Sequence, residues 1–144
     1  MEHDVPAMAL IRAQEWGTEE YWVKRIEGYM RGILHPGDAL PQRILYVAID
    51  NHKIIGFIAG HLTTRFHCDG ELEWINVQQD YRNKGIASEL LRLLVAWFNE
   101  NNAFKICVDP DDTAQKFYAK HGAINLDQHW MVWNDITVLL KRNK

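Results

Sequence analysis

The spacing of apolar residues predicts two helices in the first part of the chain. In residues 4–16, apolar positions recur at helical spacing behind Asp4, a candidate N-cap, and Pro6, which suits a first helical turn. Residues 18–34 show a second amphipathic helical pattern. Residues 35–41 contain two prolines and are predicted to form a loop.

Three strands and a long helix are predicted next. Residues 43–49 and 53–66 read as two strands joined by a tight turn, and residues 71–77 read as a third strand. From Ile86 onward the apolar residues follow the helical period, at positions 86, 90, 93, 94, 97 and 98. This part of the chain therefore predicts a hairpin, a further strand and an amphipathic helix.

The last third of the chain alternates between strands and helices. Residues 104–108 are apolar enough for a central strand, and residues 109–123 predict a helix with acidic residues at its start and Gly122 at its end. Residues 129–133 predict a last strand, and residues 134–144 a terminal helix.

The element order ααβββαβαβ predicts an α/β (α+β) fold in one domain that spans residues 1–144. Antiparallel hairpins come first. A helical crossover then connects residues 71–77 to residues 104–108, which implies a parallel pairing between these two strands. The expected sheet is therefore mixed and mostly antiparallel.

Composition excludes several classes of function. A 47% share of hydrophobic residues indicates a well-packed core, and a net charge of −3 without a basic stripe argues against nucleic acid or membrane partners. The absence of a signal-peptide pattern and of a long apolar run predicts a cytoplasmic protein. Cys68 and Cys107 are expected to be reduced thiols, and the seven histidines lack metal-ligand spacing, so no metal is expected.

A polar loop with one glycine, Gly85, lies between the strand at residues 71–77 and the helix that begins at Ile86. Loops of this kind bind phosphates, because the first N–H groups of a helix have no partner within the helix. Glycine also lets the backbone approach a ligand closely. The loop is not a P-loop, because it lacks the first glycine and the Gly-Lys-Ser/Thr ending.

Two motifs in this region resemble those of the GNAT superfamily of acetyl-CoA-dependent N-acetyltransferases. Residues 82–87 (RNKGIA) fit its Q/R-x-x-G-x-G/A signature, and residues 114–123 (AQKFYAKHGA) resemble its second signature. The resemblance covers residues 40–133. It implies helices on both faces of the sheet and a splayed central strand pair. The chain departs from the family in lacking the usual first strand, in Asp111 where asparagine is common, and in Ala123 where phenylalanine is usual.

The resemblance implies a coenzyme A site between the splayed strands. The N–H groups of residues 82–87 would hold the pyrophosphate, and the Val77 N–H would donate to the thioester carbonyl. In the family the strand at residues 71–77 bulges, which explains why Leu72 and Ile75 break its alternation. The implied cofactor-binding residues are Ile75, Val77, Arg82, Asn83, Lys84, Gly85, Ile86, Ala87, Ser88 and Asp111.

The catalytic groups follow from the same resemblance. Either Glu71 or Glu73 is a candidate general base, with a role as entrance charges as the alternative for both. Tyr118 is the candidate general acid that protonates the leaving thiolate, with a core aromatic as its alternative. The remaining aromatic residues either build the core or wall an acceptor cleft. The candidates for acceptor binding are Trp22, Trp74, His129 and Trp130.

The sequence therefore predicts an N-acetyltransferase that uses acetyl-CoA as cosubstrate and a small-molecule or peptide amine as acceptor. Direct attack in a ternary complex is expected, because neither cysteine lies in a nucleophile motif. The alternative is a non-catalytic acyl-CoA sensor or a scaffold module. A sheet edge left uncovered by the missing first strand would favour a homodimer.

Overall fold

The computed structural model describes residues 4–111 and 113–141. Its centre is a six-stranded mixed sheet with helices on both faces, as predicted. The strands are β1 (Ala39–Asp50), β2 (Lys53–Thr63), β3 (Gly70–Val77), β4 (Ile106–Val108), β5 (Ile124–Asn125) and β6 (Met131–Trp133), and the helices are α1 (Val5–Ala13), α2 (Glu19–Met30), α3 (Ile86–Glu100) and α4 (Gln115–Lys120). Short 3₁₀ segments lie at Arg65–His67, Gln79–Tyr81 and Ile136–Lys141.

The order of the strands across the sheet is β1-β2-β3-β4-β6-β5. Every neighbouring pair is antiparallel except β3 and β4, which are parallel. The parallel pairing covers only Gly70–Leu72 opposite Ile106–Val108, after which β3 continues to Val77 paired with β2 alone. The central strand pair is therefore splayed, as the sequence predicts, and a gap opens along the free edge of β3.

Two hydrophobic clusters fix the helices to the sheet. On one face, α1 and α2 pack against β2 and β3 through residues that include Trp22, Phe57 and Trp74. On the other face, α3 packs through Leu91 and Leu94, with α4 at the edge of the same cluster. No helix within the described ranges combines the length and the apolarity that a bilayer crossing requires.

Helix ends account for most differences between the predicted and observed helices. The Thr18 hydroxyl caps α2 by accepting from the Tyr21 N–H, whereas the Asp4 side chain makes no capping hydrogen bond to α1. The second helix ends at Met30 because Gly32 takes a left-handed conformation. The predicted terminal helix is a 3₁₀ segment over Ile136–Lys141, and its last three predicted residues lie outside the described ranges.

The strands also differ at their ends from the predicted ones. The predicted loop at residues 35–41 is partly strand, because β1 begins at Ala39, and β5 was not predicted because both of its residues are exposed. The helix predicted for residues 109–123 shortens to α4. Its expected first turn contains Pro110, and the Asp111 carboxylate instead caps the turn by accepting from the Ala114 N–H at 2.8 Å.

Leu94→Ala is expected to lower the free energy of unfolding by about 2–5 kcal/mol. The Leu94 side chain is 0% exposed and lies over Gly60 of β2, so its removal leaves a cavity between helix and sheet. The matched control is Leu93→Ala on the same helix, because Leu93 is 43% exposed. Urea unfolding followed by circular dichroism measures the free energy of unfolding of both variants. Equal losses of stability would contradict the packing of Leu94 between helix and sheet.

Candidate active site

Two cavities meet at the gap between β3 and β4. The first, of about 460 Å³, lies on the side of α1 and α2, and the second, of about 520 Å³, extends to the N-terminus of α3. They share three lining residues, which are Ile75, Asp111 and Ala114. A long ligand in the second cavity could therefore reach the first through the splayed strands.

A bulge in β3 determines which side chains reach the first cavity. Ala59 of β2 pairs with Trp74, and the next residue of β2 pairs with Leu72, so Glu73 is an extra residue without a partner. The bulge lets Leu72 and Ile75 pack towards α3, while Glu73 and Trp74 lie on the side of α1 and α2. This explains the irregular pattern of the strand in the sequence.

The loop before α3 presents free backbone N–H groups. Asn83 and Gly85 have φ values of 64° and 83°, in the left-handed region. Within the described part of the chain, the N–H groups of residues 83–88 donate to no acceptor, and the first to do so is that of Glu89, which bonds the Gly85 carbonyl at 3.1 Å. Such a run of N–H groups at a helix N-terminus suits an anion.

Most of the predicted cofactor-binding residues surround the second cavity. Its lining includes Ile75, Val77, Arg82, Asn83, Gly85, Ile86, Ala87, Ser88 and Asp111. Lys84 is not part of this lining, and its ammonium lies 5.4 Å from the centre of the Tyr81 ring. The Arg82 guanidinium is bonded to the Val77 carbonyl and to Glu15, and its backbone N–H donates to the Gln79 carbonyl.

The backbone of Val77 faces the gap. The N–H of the next residue, Gln78, donates to the Ile55 carbonyl of β2 at 2.7 Å. Successive N–H groups of a strand point to opposite edges, so the Val77 N–H points away from β2. The free edge of β3 thus offers a backbone donor to the second cavity, which Val77 lines.

The two candidate bases have different surroundings. Glu71 is buried, and its Oε1 lies 3.1 Å from Nε of Arg65 and 3.4 Å from Nε2 of His61. The Nδ1 of His61 in turn shares a hydrogen bond of 2.8 Å with the hydroxyl of Tyr29. Glu71 is therefore part of a buried polar chain that runs from β3 through His61 of β2 to Tyr29 of α2, and an arginine is paired with its carboxylate.

Glu73 can exchange a proton near neutral pH. Burial, followed by the negative charge of Glu71, raises the pKa of Glu73 to about 7, although the positive charge of Arg25 opposes the shift. No ion pair is formed by the Glu73 carboxylate within residues 4–111 and 113–141. A carboxylate of this kind, beside an open cavity, has the properties of a general base.

Tyr118 lies in the first cavity on the other side of the gap. Burial, together with the negative charge of Asp111, raises the pKa of Tyr118, so its hydroxyl is protonated at neutral pH. The ring packs edge-on against Trp133, with 5.7 Å between the centroids. Among the described residues its hydroxyl has no hydrogen-bond partner, which leaves the proton available to a ligand.

The remaining walls of the first cavity are aromatic and cationic. Of the predicted acceptor residues, Trp22, Trp74 and Trp130 line it. His129 does not, because it is exposed in a turn where its N–H bonds Asp127. Sequence reasoning missed Arg12, Trp16, Tyr21, Arg25, Arg65 and Asp109. The available signal was that Arg12 follows Met8 by one helical turn and Arg25 follows Trp22 by three residues, so both cations adjoin buried helix faces.

One group of side chains has the residue types of a metal site. His61, Glu71 and Glu73 each offer a ligand atom, and these atoms lie within 4.8 Å of one another. The guanidinium of Arg65 already supplies positive charge at the Glu71 carboxylate. A cation bound there would be repelled by that charge, so the cluster fits proton exchange better than metal binding.

Comparisons with known proteins agree with this geometry. No curated protein matches the chain in sequence. Among solved structures, a GNAT-family protein from Desulfovibrio desulfuricans has a TM-score of 0.73 at 12% identity, with 94% of each chain covered. A GNAT-family acetyltransferase from Staphylococcus aureus Mu50 has a TM-score of 0.67 at 21% identity, with 91% of this chain and 90% of that chain covered. An aminoglycoside 6'-N-acetyltransferase complexed with coenzyme A has a TM-score of 0.66 at 17% identity, with 94% and 90% covered.

These structural similarities, all at low sequence identity, establish the shared fold. The sequence itself matches the family model described as "Acetyltransferase (GNAT) family" over residues 7–123. That match begins within α1, includes the loop before α3, and ends just after α4. The chain therefore belongs to the GNAT family of acetyltransferases.

Proposed function

We propose that this protein transfers an acetyl group from acetyl-CoA to a primary amine by direct attack in a ternary complex. The observation that carries the proposal is the meeting of the two cavities at Ile75, Asp111 and Ala114. One cavity ends at the free N–H groups before α3, and the other contains Glu73 and Tyr118. The coenzyme of a structural relative, an aminoglycoside 6'-N-acetyltransferase, supports coenzyme A as the ligand.

The backbone amides of residues 83–88 would bind the pyrophosphate, and the helix dipole of α3 adds positive potential there. The bound thioester supplies the activated acetyl group. The Val77 N–H would donate to the carbonyl oxygen of that group, and the donation would strengthen as negative charge develops on the oxygen. The side chain of Asp111 is occupied by capping the turn before α4, so its part is to shape the junction of the cavities.

Glu73 and Tyr118 account for the proton transfers of the proposed reaction. An ammonium is not a nucleophile, and Glu73, with a pKa of about 7, can accept the proton that the amine must lose. The amine nitrogen then bonds to the carbonyl carbon as the carbon–sulfur bond breaks. The Tyr118 hydroxyl gives its proton to the departing sulfur and regains one from the nitrogen, which loses its second proton as the amide forms. Of the two candidate bases, Glu73 is preferred because Glu71 is ion-paired with Arg65.

The direct test combines acetyl-CoA with a panel of primary amines and follows the release of free thiol. Amine-dependent release supports an acetyltransferase. Tight binding of acetyl-CoA without turnover on any amine would favour the alternative of an acyl-CoA sensor. No thermal shift with millimolar coenzyme A would favour a scaffold module instead, because a ligand that binds only the folded state must raise its stability.

Gly85→Asp is expected to weaken coenzyme A binding by about 10- to 50-fold, because the new carboxylate repels a diphosphate at the same N–H groups. The φ of 83° strains any side chain at this position, although no atom would lie within 4 Å of an added Cβ. Gly85→Asn is the matched control, because asparagine has the same shape without the charge. Isothermal titration calorimetry measures both affinities, and equal affinities would refute the phosphate site.

The wider biological setting is proposed from the sequence alone. A single domain over residues 1–144, a cytoplasmic location, the absence of a required metal and a homodimer all remain predictions. One structural relative is an aminoglycoside 6'-N-acetyltransferase. A small-molecule or peptide amine is proposed as the acceptor here.

A further inference from the structure

We propose that the acceptor is an α-amino acid with an aromatic or large apolar side chain, whose carboxylate binds Arg25. This inference rests on the proposed acetyltransferase function and names the substrate class of the same site. It follows from the charges in the first cavity, from Arg25, whose guanidinium forms no hydrogen bond or ion pair with a described residue, and from the exposed aromatic rings at the rim.

Two of the three arginines in the first cavity are already engaged. Arg12 donates to the Asn76 side chain at 2.6 Å, and its guanidinium lies 4.2 Å from the centre of the Trp22 ring. Arg65 pairs with Glu71 and lies 4.6 Å from the centre of the Trp130 ring. Their positions are thus fixed by contacts within the protein, although their charges still act on a ligand in the cavity.

Arg25 is different. It projects from α2 with an exposed side chain, and it forms no hydrogen bond or ion pair with any described residue. It lines the first cavity and also a smaller adjoining one of about 130 Å³, in both cases beside Glu73 and Trp74. A free guanidinium next to the candidate base can bind a carboxylate through two parallel hydrogen bonds.

The arrangement of charges favours an acceptor with both signs. The ammonium of an α-amino acid would approach Glu73. Its carboxylate, whose carbon is two bonds away from the nitrogen, would lie towards Arg25. The same lining contains four carboxylates, those of Glu71, Glu73, Asp109 and Asp111, beside the three arginines. The preference for an acceptor with both signs therefore rests on the adjacent Glu73 and Arg25 and not on the net charge of the cavity.

The rim of the cavity supplies an apolar surface. Trp16 and Tyr21 are 56% and 41% exposed, and both line the first cavity. Their rings are tilted against each other, with 5.5 Å between centroids, and Trp16 also packs edge-on against Trp22. Exposed aromatic groups of this kind at a cavity mouth indicate contact with an apolar part of a ligand.

The test compares acetylation of L-tryptophan and L-phenylalanine with that of tryptamine, phenethylamine, spermidine and kanamycin. The amino acids are expected to have a kcat/KM at least about 10-fold above that of the matching amines, which lack only the carboxylate. Arg25→Gln is expected to raise the KM for the amino acids by about 10- to 100-fold and to leave the KM for tryptamine and phenethylamine nearly unchanged. Because loss of the Arg25 charge also raises the pKa of Glu73, the acceptors are compared at a pH well above 7, where Glu73 is ionised in both proteins.

Lys24→Gln is the matched control. It removes one positive charge from the neighbouring position of α2, where the ammonium lies 4.0 Å from Glu20 on the protein surface. This variant is expected to acetylate every acceptor at the rate of the parent protein. If Lys24→Gln changed the KM as much as Arg25→Gln, the effect would come from the net charge of α2 and not from a contact with the carboxylate. That result would overturn the inference.

The outcomes separate this inference from the proposed function. Preferred acetylation of spermidine, kanamycin or the decarboxylated amines, or equal losses on all acceptors in Arg25→Gln, would overturn the amino acid assignment while an acetyltransferase remains. Failure to bind coenzyme A or to acetylate any amine would overturn the proposed function, and the acceptor assignment with it. An Arg25→Lys variant with a lower KM for the amino acids than Arg25→Gln would support an ionic contact.

Discussion

Glu73→Gln is expected to lower kcat by about 100- to 10,000-fold while the affinity for coenzyme A stays unchanged. Glutamine keeps the shape of the side chain at the β3 bulge but cannot accept a proton from the amine. Because Glu73 lines the first cavity and not the second, its loss leaves the coenzyme site intact. Steady-state thiol release measures kcat, and calorimetric titration measures coenzyme binding.

The pH dependence makes this prediction specific to a general base. In the parent protein, kcat/KM should fall as the pH drops below about 7, because Glu73 becomes protonated there. The variant should lose this acidic limb. An unchanged limb, or a loss of activity that parallels a lower melting temperature, would exclude Glu73 as the base.

Glu71→Gln separates the two carboxylates. The negative charge of Glu71 helps to raise the pKa of Glu73, so its removal should lower that pKa and move the acidic limb to lower pH. The activity above pH 7 should then fall less than in Glu73→Gln. If Glu71→Gln abolished the limb altogether, the base would be Glu71, which the sequence offered as the other candidate.

Much of the fold could be predicted from the sequence because its strongest signals are periodic. The apolar positions of α3 follow the helical period over its whole length, and a crossover helix requires the parallel pairing of β3 and β4. Element ends could not be predicted as well. They depend on local details, such as the conformation of Gly32, and β5 has only two exposed residues and therefore no hydrophobic pattern.

The site was predictable where its residues are close together in the sequence. The loop around Gly85 and the turn from Asp111 to Tyr118 are contiguous motifs, and both line the cavities. The arginines of the first cavity come from segments that only tertiary packing brings together. Helical spacing marks Arg12 and Arg25 as neighbours of a buried helix face, but it does not show that they line the same cavity as Arg65. Conversely, Lys84 and His129 adjoin site residues in the sequence but are directed elsewhere by the conformation of their turns.

The buried polar chain through His61 could not be predicted from the sequence either, because tertiary packing creates it. His61 lies on β2 and Tyr29 on α2, and the hydrogen bond between them is visible only when the helix is packed on the sheet. In the sequence this histidine occupies an otherwise apolar strand. It is fully buried and lies 3.4 Å from the Glu71 carboxylate, so it joins that carboxylate to Tyr29 through the protein interior.

Tyr118→Phe is expected to lower kcat by about 100- to 1,000-fold with little change in the KM for acetyl-CoA. The departing thiolate would lose its proton donor. The ring contacts, including the one with Trp133, would persist, so the free energy of unfolding should change by less than about 1 kcal/mol. Tyr46→Phe is the matched control, because this tyrosine lies on β1, outside the linings of both cavities.

A change of leaving group distinguishes an acid from a residue that only shapes the cavity. The acetyl thioester of an aromatic thiol releases a thiolate that is stable without protonation, so the loss of the Tyr118 hydroxyl should matter much less with that donor. A purely structural role would lower the rate by the same factor with both thioesters. Since burial and the charge of Asp111 both keep the hydroxyl protonated, a rate loss that shrinks with the acidity of the thiol would identify Tyr118 as the source of the proton.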